Sequence, residues 1–442
     1  MFIWPELQGH DIRWWMRTRP LAGLALGVLL LAAAPFAVRA LRARAGNVTS
    51  EEPDLVKRTT RRPAGTSIVP PFSGLDLKHI AVDDEGGTAA MADGRTARLT
   101  VDPALQRAAI GLLERHQLAE AAIVAMDPAT GEILAWASHS ADGQDACKHA
   151  ASPAASVFKI VTASALVENA GLDASTRECY AGGGEQRIVR SDLAVDPLRD
   201  RWCVTLGNAM GRSTNAVFAR LALRDLAPKQ LDDMARSLGF GEPVPFDVEV
   251  QKSEISVPEG DDLGFARTAA GFWNTTLSPL HAAWLSAMVA RGGELPKPFI
   301  VREVKDKGGT VVYAAPAPSV VRRAVKPDTA AAVGQMMEHT VTEGTSFKAF
   351  HDGGGRAFLH GIGVAGKTGT LADPGGKRMY TWFTSFAPVH PGPGERQIAL
   401  GVLVIDPPKW KVKANVVARE LLEAYFYPNR ALQAQARSNR AK

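Results

Sequence analysis

Apolar positions recur along this chain with two different periods, and these periods predict its elements. Segments 102–117, 278–293 and 412–426 repeat their apolar residues at helical spacing, and the first two open with an aspartate or serine followed by proline, which is typical of a helix start. Segments 121–138 and 381–406 each hold two short apolar runs around a Pro/Gly-rich turn, which predicts two β-hairpins. This order predicts an antiparallel sheet flanked by helices, with a helical insertion, in the α/β (α+β) class.

One longer apolar run lies near the N-terminus, from Leu21 to Val38. At 1.5 Å per residue it would span roughly 27 Å, enough for a bilayer core. Trp14 and Trp15 precede it, where interfacial aromatic residues are common. We interpret residues 21–38 as a single transmembrane anchor. A cleaved signal peptide is the alternative, but Arg39 does not suit a small-residue cleavage site.

Composition adds little beyond an ordinary globular body. The chain has 442 residues, of which 46% are hydrophobic and 22% charged, and its formal charge is +5. Basic residues cluster near both ends, which we interpret as solvated segments, and no nucleic-acid-binding motif accompanies them. Residues 39–96 are rich in charge, proline and glycine and lack sustained periodicity, so they are predicted to be a linker or a minimal pedestal. Residues 428–442 are predicted to be a basic flexible tail.

Three cysteines are too few for a disulfide scaffold. If the body lies outside the membrane, Cys179 and Cys203 could pair and leave Cys147 free. Three ordinary buried thiols are the alternative. The histidines show no metal-ligand spacing, so no metal and no organic cofactor is expected.

The first candidate chemistry is in the stretch "SPAASVFKIV", which places Ser156 three residues before Lys159. On a helix these positions share one face, so the lysine amine can reach the serine hydroxyl. A serine near a helix N-terminus also has free backbone N–H groups close by, which can stabilise an oxyanion. The pair alone is a weak signal, because such a spacing also arises by chance.

Two later stretches strengthen it. "GRSTNAVFARLA" contains Ser213 and Asn215, and "VAGKTGTLAD" contains a Lys-Thr-Gly-Thr run from Lys367 to Thr370. S-x-x-K, S-x-N and K-T-G in this order form the signature of penicillin-binding proteins and class A β-lactamases. Three short motifs in the right order are far more specific than any one of them.

With these motifs, the chain resembles the transpeptidase domain of penicillin-binding proteins of the monofunctional, class B-like kind. The resemblance covers residues 97–427 and includes "LTVDPALQRAA", "VAMDPATGEILAWAS", "TLSPLHAAWLSAMVARGG", "TVTEGTSFKAF" and "TWFTSFAP". It implies a five-stranded antiparallel sheet with helices on both faces and a helical subdomain. The "ECYAGGG" and "RWCVTLGNAMGRSTN" stretches resemble a paired-cysteine loop of some members, which favours the Cys179–Cys203 pairing.

The resemblance implies a D,D-transpeptidase that cross-links peptidoglycan stem peptides through a serine acyl-enzyme and releases D-alanine. Its residues divide into a catalytic set, Ser156, Lys159 and Ser213, and a substrate-binding set, Asn215, Lys367, Thr368, Gly369 and Thr370. Ser156 would be the nucleophile, Lys159 its general base, and Ser213 a proton relay to the leaving amine. The backbone N–H groups of Ser156 and Thr370 would form the oxyanion hole.

Within the substrate-binding set, Asn215 would hold a substrate amide and Lys367 would supply positive field. The hydroxyls of Thr368 and Thr370 would suit the terminal carboxylate. Gly369 would let the peptide approach the strand closely, as an added strand does.

The chain also departs from the family pattern. Ala154 and Ala155 stand before the serine, where members usually have a glycine, and Val157 follows it, where a small polar residue is common. The segment before residue 97 is too short for a glycosyltransferase domain and short for a full pedestal, which leaves open whether the chain serves division, elongation or another complex.

Three other functions compete. A D,D-carboxypeptidase would hydrolyse the same acyl-enzyme with water, and the motifs do not separate it from a transpeptidase. A class A β-lactamase is disfavoured because E-x-x-L-N is absent: Asn274 is the one asparagine between Asn215 and Lys367, and Ala270 lies four residues before it. An idle scaffold or a penicillin sensor is disfavoured because the motifs are complete and one span is predicted.

These expectations also set the topology and the partners. Stem peptides lie outside the cytoplasmic (inner) membrane, so residues 1–20 would be cytoplasmic and the catalytic domain periplasmic or extracellular. β-Lactams would be covalent inhibitors. A membrane glycan polymerase is a possible partner, with a role in cell shape, and no nucleic acid is expected.

Overall fold

The computed structural model describes residues 72–182, 187–272, 274–408 and 411–428. The predicted cytoplasmic segment 1–20, the anchor 21–38 and residues 429–442 of the predicted tail lie outside these described residues. Within the described part of the chain, every helix is too short or too polar to span a bilayer.

The described residues form sixteen strands and eleven α-helices. The strands are β1 (Ala81–Val82), β2 (Gly87–Ala90), β3 (Thr96–Leu99), β4 (Glu120–Met126), β5 (Ile133–His139), β6 (Ser152–Pro153), β7 (Arg177–Tyr180), β8 (Trp202–Thr205), β9 (Thr276–Leu277), β10 (Glu294–Pro296), β11 (Val301–Lys305), β12 (Val311–Ala314), β13 (Val320–Arg323), β14 (Ala365–Ala372), β15 (Met379–Ala387) and β16 (Ile398–Asp406). The helices are α1 (Pro103–His116), α2 (Lys159–Ala170), α3 (Arg190–Leu193), α4 (Leu206–Arg212), α5 (Asn215–Asp225), α6 (Pro228–Ser237), α7 (Asp262–Ala269), α8 (Pro279–Ala290), α9 (Pro327–Thr342), α10 (Phe347–Phe350) and α11 (Ala414–Phe426).

The central sheet has five antiparallel strands in the order β14-β15-β16-β4-β5. Both predicted hairpins are confirmed, as β4–β5 and β15–β16. Helix α8 packs on one face, and α1 and α11 pack on the other. Because helices cover both faces of the sheet, the sequences of its inner strands are almost entirely apolar and do not alternate between apolar and polar residues. In β4, Ile123 belongs to one core and Val124 to the other.

The predicted helix starts are also confirmed. The Asp102 carboxylate accepts a hydrogen bond from the backbone N–H of Leu105 at 2.8 Å, at the start of α1. The Ser278 hydroxyl accepts from the N–H of His281 at 3.2 Å, at the start of α8. Each N-cap satisfies one of the backbone donors that a helix start leaves unpaired.

Residues 72–96 differ from the predicted irregular linker. Strands β1, β2 and β3 join β11 and β12 in a second five-stranded antiparallel sheet. These strands are two to five residues long, and β3 pairs with a strand some 200 residues later. Residues 39–71 of the range predicted to be a linker or a minimal pedestal lie outside the described residues. Local periodicity gave no signal for the strands in residues 72–96, because they are short and the sheet is completed by a distant strand.

The helical insertion carries a tethered loop. Cys179 in β7 and Cys203 in β8 stand opposite each other and form a disulfide, so the pairing that the sequence left open is confirmed. Cys147 is buried and free. Arg220 of α5 is 5% exposed, and its guanidinium binds the Asp200 carboxylate at 2.7 and 3.0 Å. Arg220 also donates to backbone carbonyls of the same loop, those of Cys179, Asp192 and Ala194.

Replacing both Cys179 and Cys203 by alanine should lower the free energy of unfolding by about 3 kcal/mol, because the bond closes a loop of 24 residues in the unfolded chain. The measurement is denaturant unfolding with and without reductant. Reductant should lower the unfolding midpoint of the native sequence and leave that of the double variant unchanged. Equal midpoints for both proteins without reductant would contradict the prediction.

Candidate active site

Ser156 lies in a 3-10 turn, Ala155–Phe158, that leads directly into α2. Pro153, just before this turn, belongs to the short strand β6, and its carbonyl accepts from the indole N–H of Trp382 at 2.9 Å. Ala155 has φ +48°, in the left-handed region that a glycine would occupy without strain. The α-helix therefore begins at Lys159, after the serine, and the serine stands on a tight turn before it.

The residues that depart from the family pattern belong to this turn or directly precede it. Ala154, Ala155 and Val157 are all almost completely buried, and none of them lines the cleft described below. Because their side chains are buried in the core, these residues can change the shape of the cleft only by shifting the turn that carries Ser156.

Lys159 is the first residue of α2 and is fully buried. Its Nζ donates to Ser156 Oγ at 2.9 Å, to Asn215 Oδ1 at 2.6 Å and to the carbonyl oxygen of Ala270 at 2.5 Å. It also lies 5.5 Å from the ring centre of Phe218. Burial, and then the nearby charge of Lys367, lower the pKa of Lys159 well below its ordinary value. The structure thus places the Lys159 amine, which loses its proton more readily than an exposed lysine, within hydrogen-bond distance of the Ser156 hydroxyl.

Ser213 and Asn215 flank the junction of two helices. Ser213 ends α4 with φ +58°, and Asn215 is the first residue of α5. The sharp turn brings both side chains to the serine turn: Asn215 contacts Lys159, and Ser213 Oγ accepts from Lys367 Nζ at 2.9 Å. The S-x-N motif thus corresponds to the corner between α4 and α5, with the serine at the end of one helix and the asparagine at the start of the next.

Lys367 is the second buried lysine and lies on β14. Besides Ser213, its Nζ donates to the carbonyl oxygen of Thr368 at 2.9 Å. Burial lowers its pKa to about 7. The dependence runs from Lys367 to Lys159, because the charge of Lys367 opposes protonation of Lys159.

β14 is an edge strand of the central sheet, and the edge that is not paired with β15 runs past the serine turn. Gly369 lies closest to the turn: a Cβ there would be 3.2 Å from Ala155 Cβ and 3.3 Å from the Ala154 carbonyl oxygen. Any side chain at this position would push the strand away from Ser156. Thr368 and Thr370 flank Gly369 and point to the opposite face from Lys367, because side chains alternate along a strand.

A cleft of about 870 Å³ contains these groups. Its walls include six of the eight predicted residues, Ser156, Ser213, Asn215, Thr368, Gly369 and Thr370, while Lys159 and Lys367 lie buried behind them. The structure thus brings together all eight predicted residues, which lie between Ser156 and Thr370 in the sequence.

The cleft also contains residues that the sequence reasoning did not select. Thr345 Oγ1 lies 2.7 Å from Thr368 Oγ1, and Arg212, Lys413 and Asn415 line other parts of the wall. The stretch around Thr345 resembled the family without pointing to a particular side chain. Lys413 and Asn415 stand at the start of α11, where the sequence shows only an amphipathic helix.

Chemically, this arrangement can activate a serine and receive an extended peptide. A deprotonated Lys159 can take the Ser156 proton, and an unpaired strand edge can bind a peptide backbone with its carboxylate end beside threonine hydroxyls. A cationic environment surrounds the site, which suits an anionic substrate end.

The pH dependence of stability should report the burial of Lys367. Its folded-state pKa of about 7 lies below the unfolded value near 10.5, so the unfolded chain binds more protons between these pH values. Stability therefore rises with pH across this window, and the Lys367→Met variant should lose that part of the rise. Melting temperatures from pH 6 to 10 measure both slopes, and parallel curves would rule out a lysine with a depressed pKa at this position.

Known proteins place the chain in one family. The profile described as "Penicillin binding protein transpeptidase domain" matches residues 121–423. The peptidoglycan D,D-transpeptidase PbpA of Mycobacterium tuberculosis is 27% identical over 354 residues, covering 70% of this chain and 67% of that protein. The probable peptidoglycan D,D-transpeptidase FtsI of Caulobacter vibrioides is 27% identical over 366 residues, covering 76% and 57%.

The fold agrees with this assignment. The solved imipenem acyl-enzyme complex of penicillin-binding protein A from M. tuberculosis superposes with a TM-score of 0.60 at 25% identity, covering 75% of this chain and 80% of that one. A peptidoglycan glycosyltransferase from Burkholderia ambifaria shares the fold with a TM-score of 0.58 at 20% identity, covering 76% of this chain and 98% of that one. With the ordered motifs, the buried lysine pair and the central sheet, these matches show that the chain belongs to the penicillin-binding protein transpeptidase domain family.

Proposed function

We propose that this protein is a peptidoglycan D,D-transpeptidase, which joins stem peptides through a serine acyl-enzyme and releases the terminal D-alanine. The observation that carries the proposal is the contact network that links Ser156 to Lys159 and Asn215 beside the unpaired edge of β14. The names of the curated relatives, peptidoglycan D,D-transpeptidases, support the same activity.

In the acylation step Ser156 Oγ attacks the carbonyl carbon of the penultimate D-alanine. Lys159, at 2.9 Å, accepts the hydroxyl proton, which it can do because burial keeps its amine deprotonated at a lower pH than usual. The negative charge on the carbonyl oxygen falls between the backbone N–H groups of Ser156 and Thr370. The C–N bond then breaks as the leaving amine of D-alanine takes a proton from the Ser213 hydroxyl, and the proton that Lys159 took from Ser156 replaces it on Ser213. Lys367 holds Ser213 in place at 2.9 Å.

The donor peptide lies along β14 as an added strand. Gly369 allows the backbone to approach Ser156, and the Asn215 amide holds a peptide group on the opposite side of the cleft. The terminal carboxylate meets the Thr368 and Thr370 hydroxyls, and Lys367 adds positive charge behind the strand.

The acyl-enzyme must then react with an amine of a second stem peptide. Among the described residues that line the cleft, the single acid is Asp373, whose Oδ1 accepts the backbone N–H groups of Lys377 and Arg378 in a hairpin turn. No glutamate is among these lining residues to activate water, which favours slow hydrolysis and supports a transpeptidase over a β-lactamase. β-Lactams would therefore act as covalent inhibitors.

We further propose that residues 21–38 anchor the protein in the cytoplasmic membrane as a single pass and that the catalytic domain faces the periplasm or the exterior. The Cys179–Cys203 disulfide supports this placement, because such bonds persist in oxidising compartments. We propose a membrane glycan polymerase as the partner that supplies the glycan strands on which the stem peptides are carried.

The test is incubation of the purified full chain with lipid-linked glycan strands that carry pentapeptides, followed by muropeptide analysis. Cross-linked dimers and released D-alanine are the expected products. Tetrapeptides without dimers would mean that the protein is a D,D-carboxypeptidase instead. A Ser156→Ala control should yield neither product.

A further inference from the structure

The wall of the cleft beside the Thr368 and Thr370 hydroxyls is built by the start of α11. Thr370 stands opposite Thr381 in the β14–β15 ladder, so their side chains share one face. Thr381 Oγ1 accepts the backbone N–H of Ala414, the first residue of α11, at 3.3 Å. The side chain of Thr381 therefore connects the position of Thr370 to the start of α11.

A second line of contacts reaches the same place from Thr368. Thr368 Oγ1 lies 2.7 Å from Thr345 Oγ1, and the next residue, Ser346, binds Asn415 Nδ2 through its hydroxyl at 3.1 Å. Both threonines of the K-T-G-T run thus connect, through different neighbours, to the first turn of one helix.

The side-chain amide of Asn415 has one end without a hydrogen-bond partner among the described residues. It lines the cleft, is 6% exposed, and its Oδ1 has no hydrogen-bond partner among the described residues. Ser346 can equally donate to Oδ1 with the amide turned over, and Nδ2 is then the end left to donate to a bound group. Because this amide lines the cleft, the end without a partner among the described residues is available to bind a group in the cleft.

The charge at this end of the cleft is positive. Lys413 precedes α11 and lines the cleft, and the first turn of a 13-residue helix adds the partial positive charge of its N–H groups. Partial burial lowers the pKa of Lys413 from its ordinary value. The one acid in the described lining, Asp373, has its Oδ1 bound within its own turn.

We infer that Lys413 and Asn415 form a second half of the carboxylate site, and that Lys413 makes the enzyme specific for donors that end in a free carboxylate. The inference rests on the proposed function, in which the leaving D-alanine carries that carboxylate. Thr368 and Thr370 bind it from the strand, and Lys413 and Asn415 bind it from the helix. A stem peptide already joined through an amide at this position lacks the charge and is rejected.

The experiment compares two probes that differ in charge alone: an N-acyl-D-alanyl thioester of thioglycolic acid and its carboxamide. Acylation rates are measured for the native sequence, Lys413→Met, Lys413→Arg and Asn415→Ala. Lys411→Met is the matched control, because Lys411 is exposed, donates to the Gln117 carbonyl and is absent from the described lining.

Lys413→Met should slow acylation by the acid about tenfold and leave the carboxamide within about twofold, since one charge-assisted contact is lost. Lys413→Arg should retain most of the rate with the acid, and Asn415→Ala should affect the acid more than the carboxamide. Equal losses with both probes, or no loss with either, would overturn the inference while the native protein is still acylated. Failure of both probes on the native protein would instead overturn the proposed function, and the inference with it.

Discussion

Ser156→Ala should abolish covalent labelling by a fluorescent penicillin and leave the protein folded. The hydroxyl is the nucleophile in the proposed mechanism, and its removal leaves no group that can form the acyl bond. The side chain is partly exposed on the serine turn and its hydroxyl contacts Lys159 Nζ, so its loss costs little packing. We expect no labelled band after gel electrophoresis and a melting temperature close to that of the native sequence.

Ser164→Ala is the matched control, because Ser164 lies on α2, which follows the serine turn, and its hydroxyl donates to the Ile160 carbonyl at 2.8 Å inside the core. This variant should label like the native sequence. Labelling of Ser156→Ala at a normal rate would show that another residue is the nucleophile. A peptide map of the labelled protein would then identify that residue.

Lys159→Met should reduce the rate of acylation by on the order of 10³-fold, within the range that general acid–base catalysis supplies. Methionine keeps much of the length of the lysine side chain and removes its amine, so the packing against Phe218 is retained while the proton acceptor of Ser156 is lost. In the native protein the rate should rise with pH as Lys159 deprotonates. Because burial and Lys367 lower this pKa, the rise should occur well below the usual pKa of lysine.

The pH profile separates a base from a structural residue. Lys159→Met should lose the rising limb of the profile as well as the rate, whereas a purely structural role would lower the rate equally at every pH. Stopped-flow acylation from pH 6 to 10 measures both quantities. A native rate that does not change with pH, or a variant that keeps the rise, would contradict the role of Lys159 as base.

The order of the motifs was enough to predict which eight residues meet. S-x-x-K predicted the contact between Ser156 and Lys159, although the serine lies on a 3-10 turn before α2 and not on the helix face expected from the spacing. S-x-N corresponds to the corner between α4 and α5, where Asn215 is the first residue of α5. The hairpins and long helices were predictable because their apolar periods are local. The sheet of β1, β2 and β3 was not, because these strands are two to four residues long and the sheet is completed by a strand about 200 positions after β3.

Contacts made by tertiary packing account for the other gaps. Nothing in the sequence near Thr345 or Asn415 places them beside the K-T-G-T run, since both arrive there through packing of α11 and the loop after α9. Likewise, the left-handed conformation of Ala155 is set by the crowded junction of the serine turn with Gly271 and Gly369, where the backbones approach closely. Alanine rarely adopts a left-handed conformation, so nothing in the local sequence predicts it at Ala155.

The contacts of Arg220 have a consequence for how the disulfide forms. Its guanidinium binds the Cys179 carbonyl on one side and the Asp200 carboxylate on the other, three residues before Cys203. A chain that has folded but not yet been oxidised is thereby held with both thiols at high effective concentration. The ion pair and the disulfide thus constrain the same loop, so in the folded but reduced chain the contacts of Arg220 would still hold the two thiols near each other.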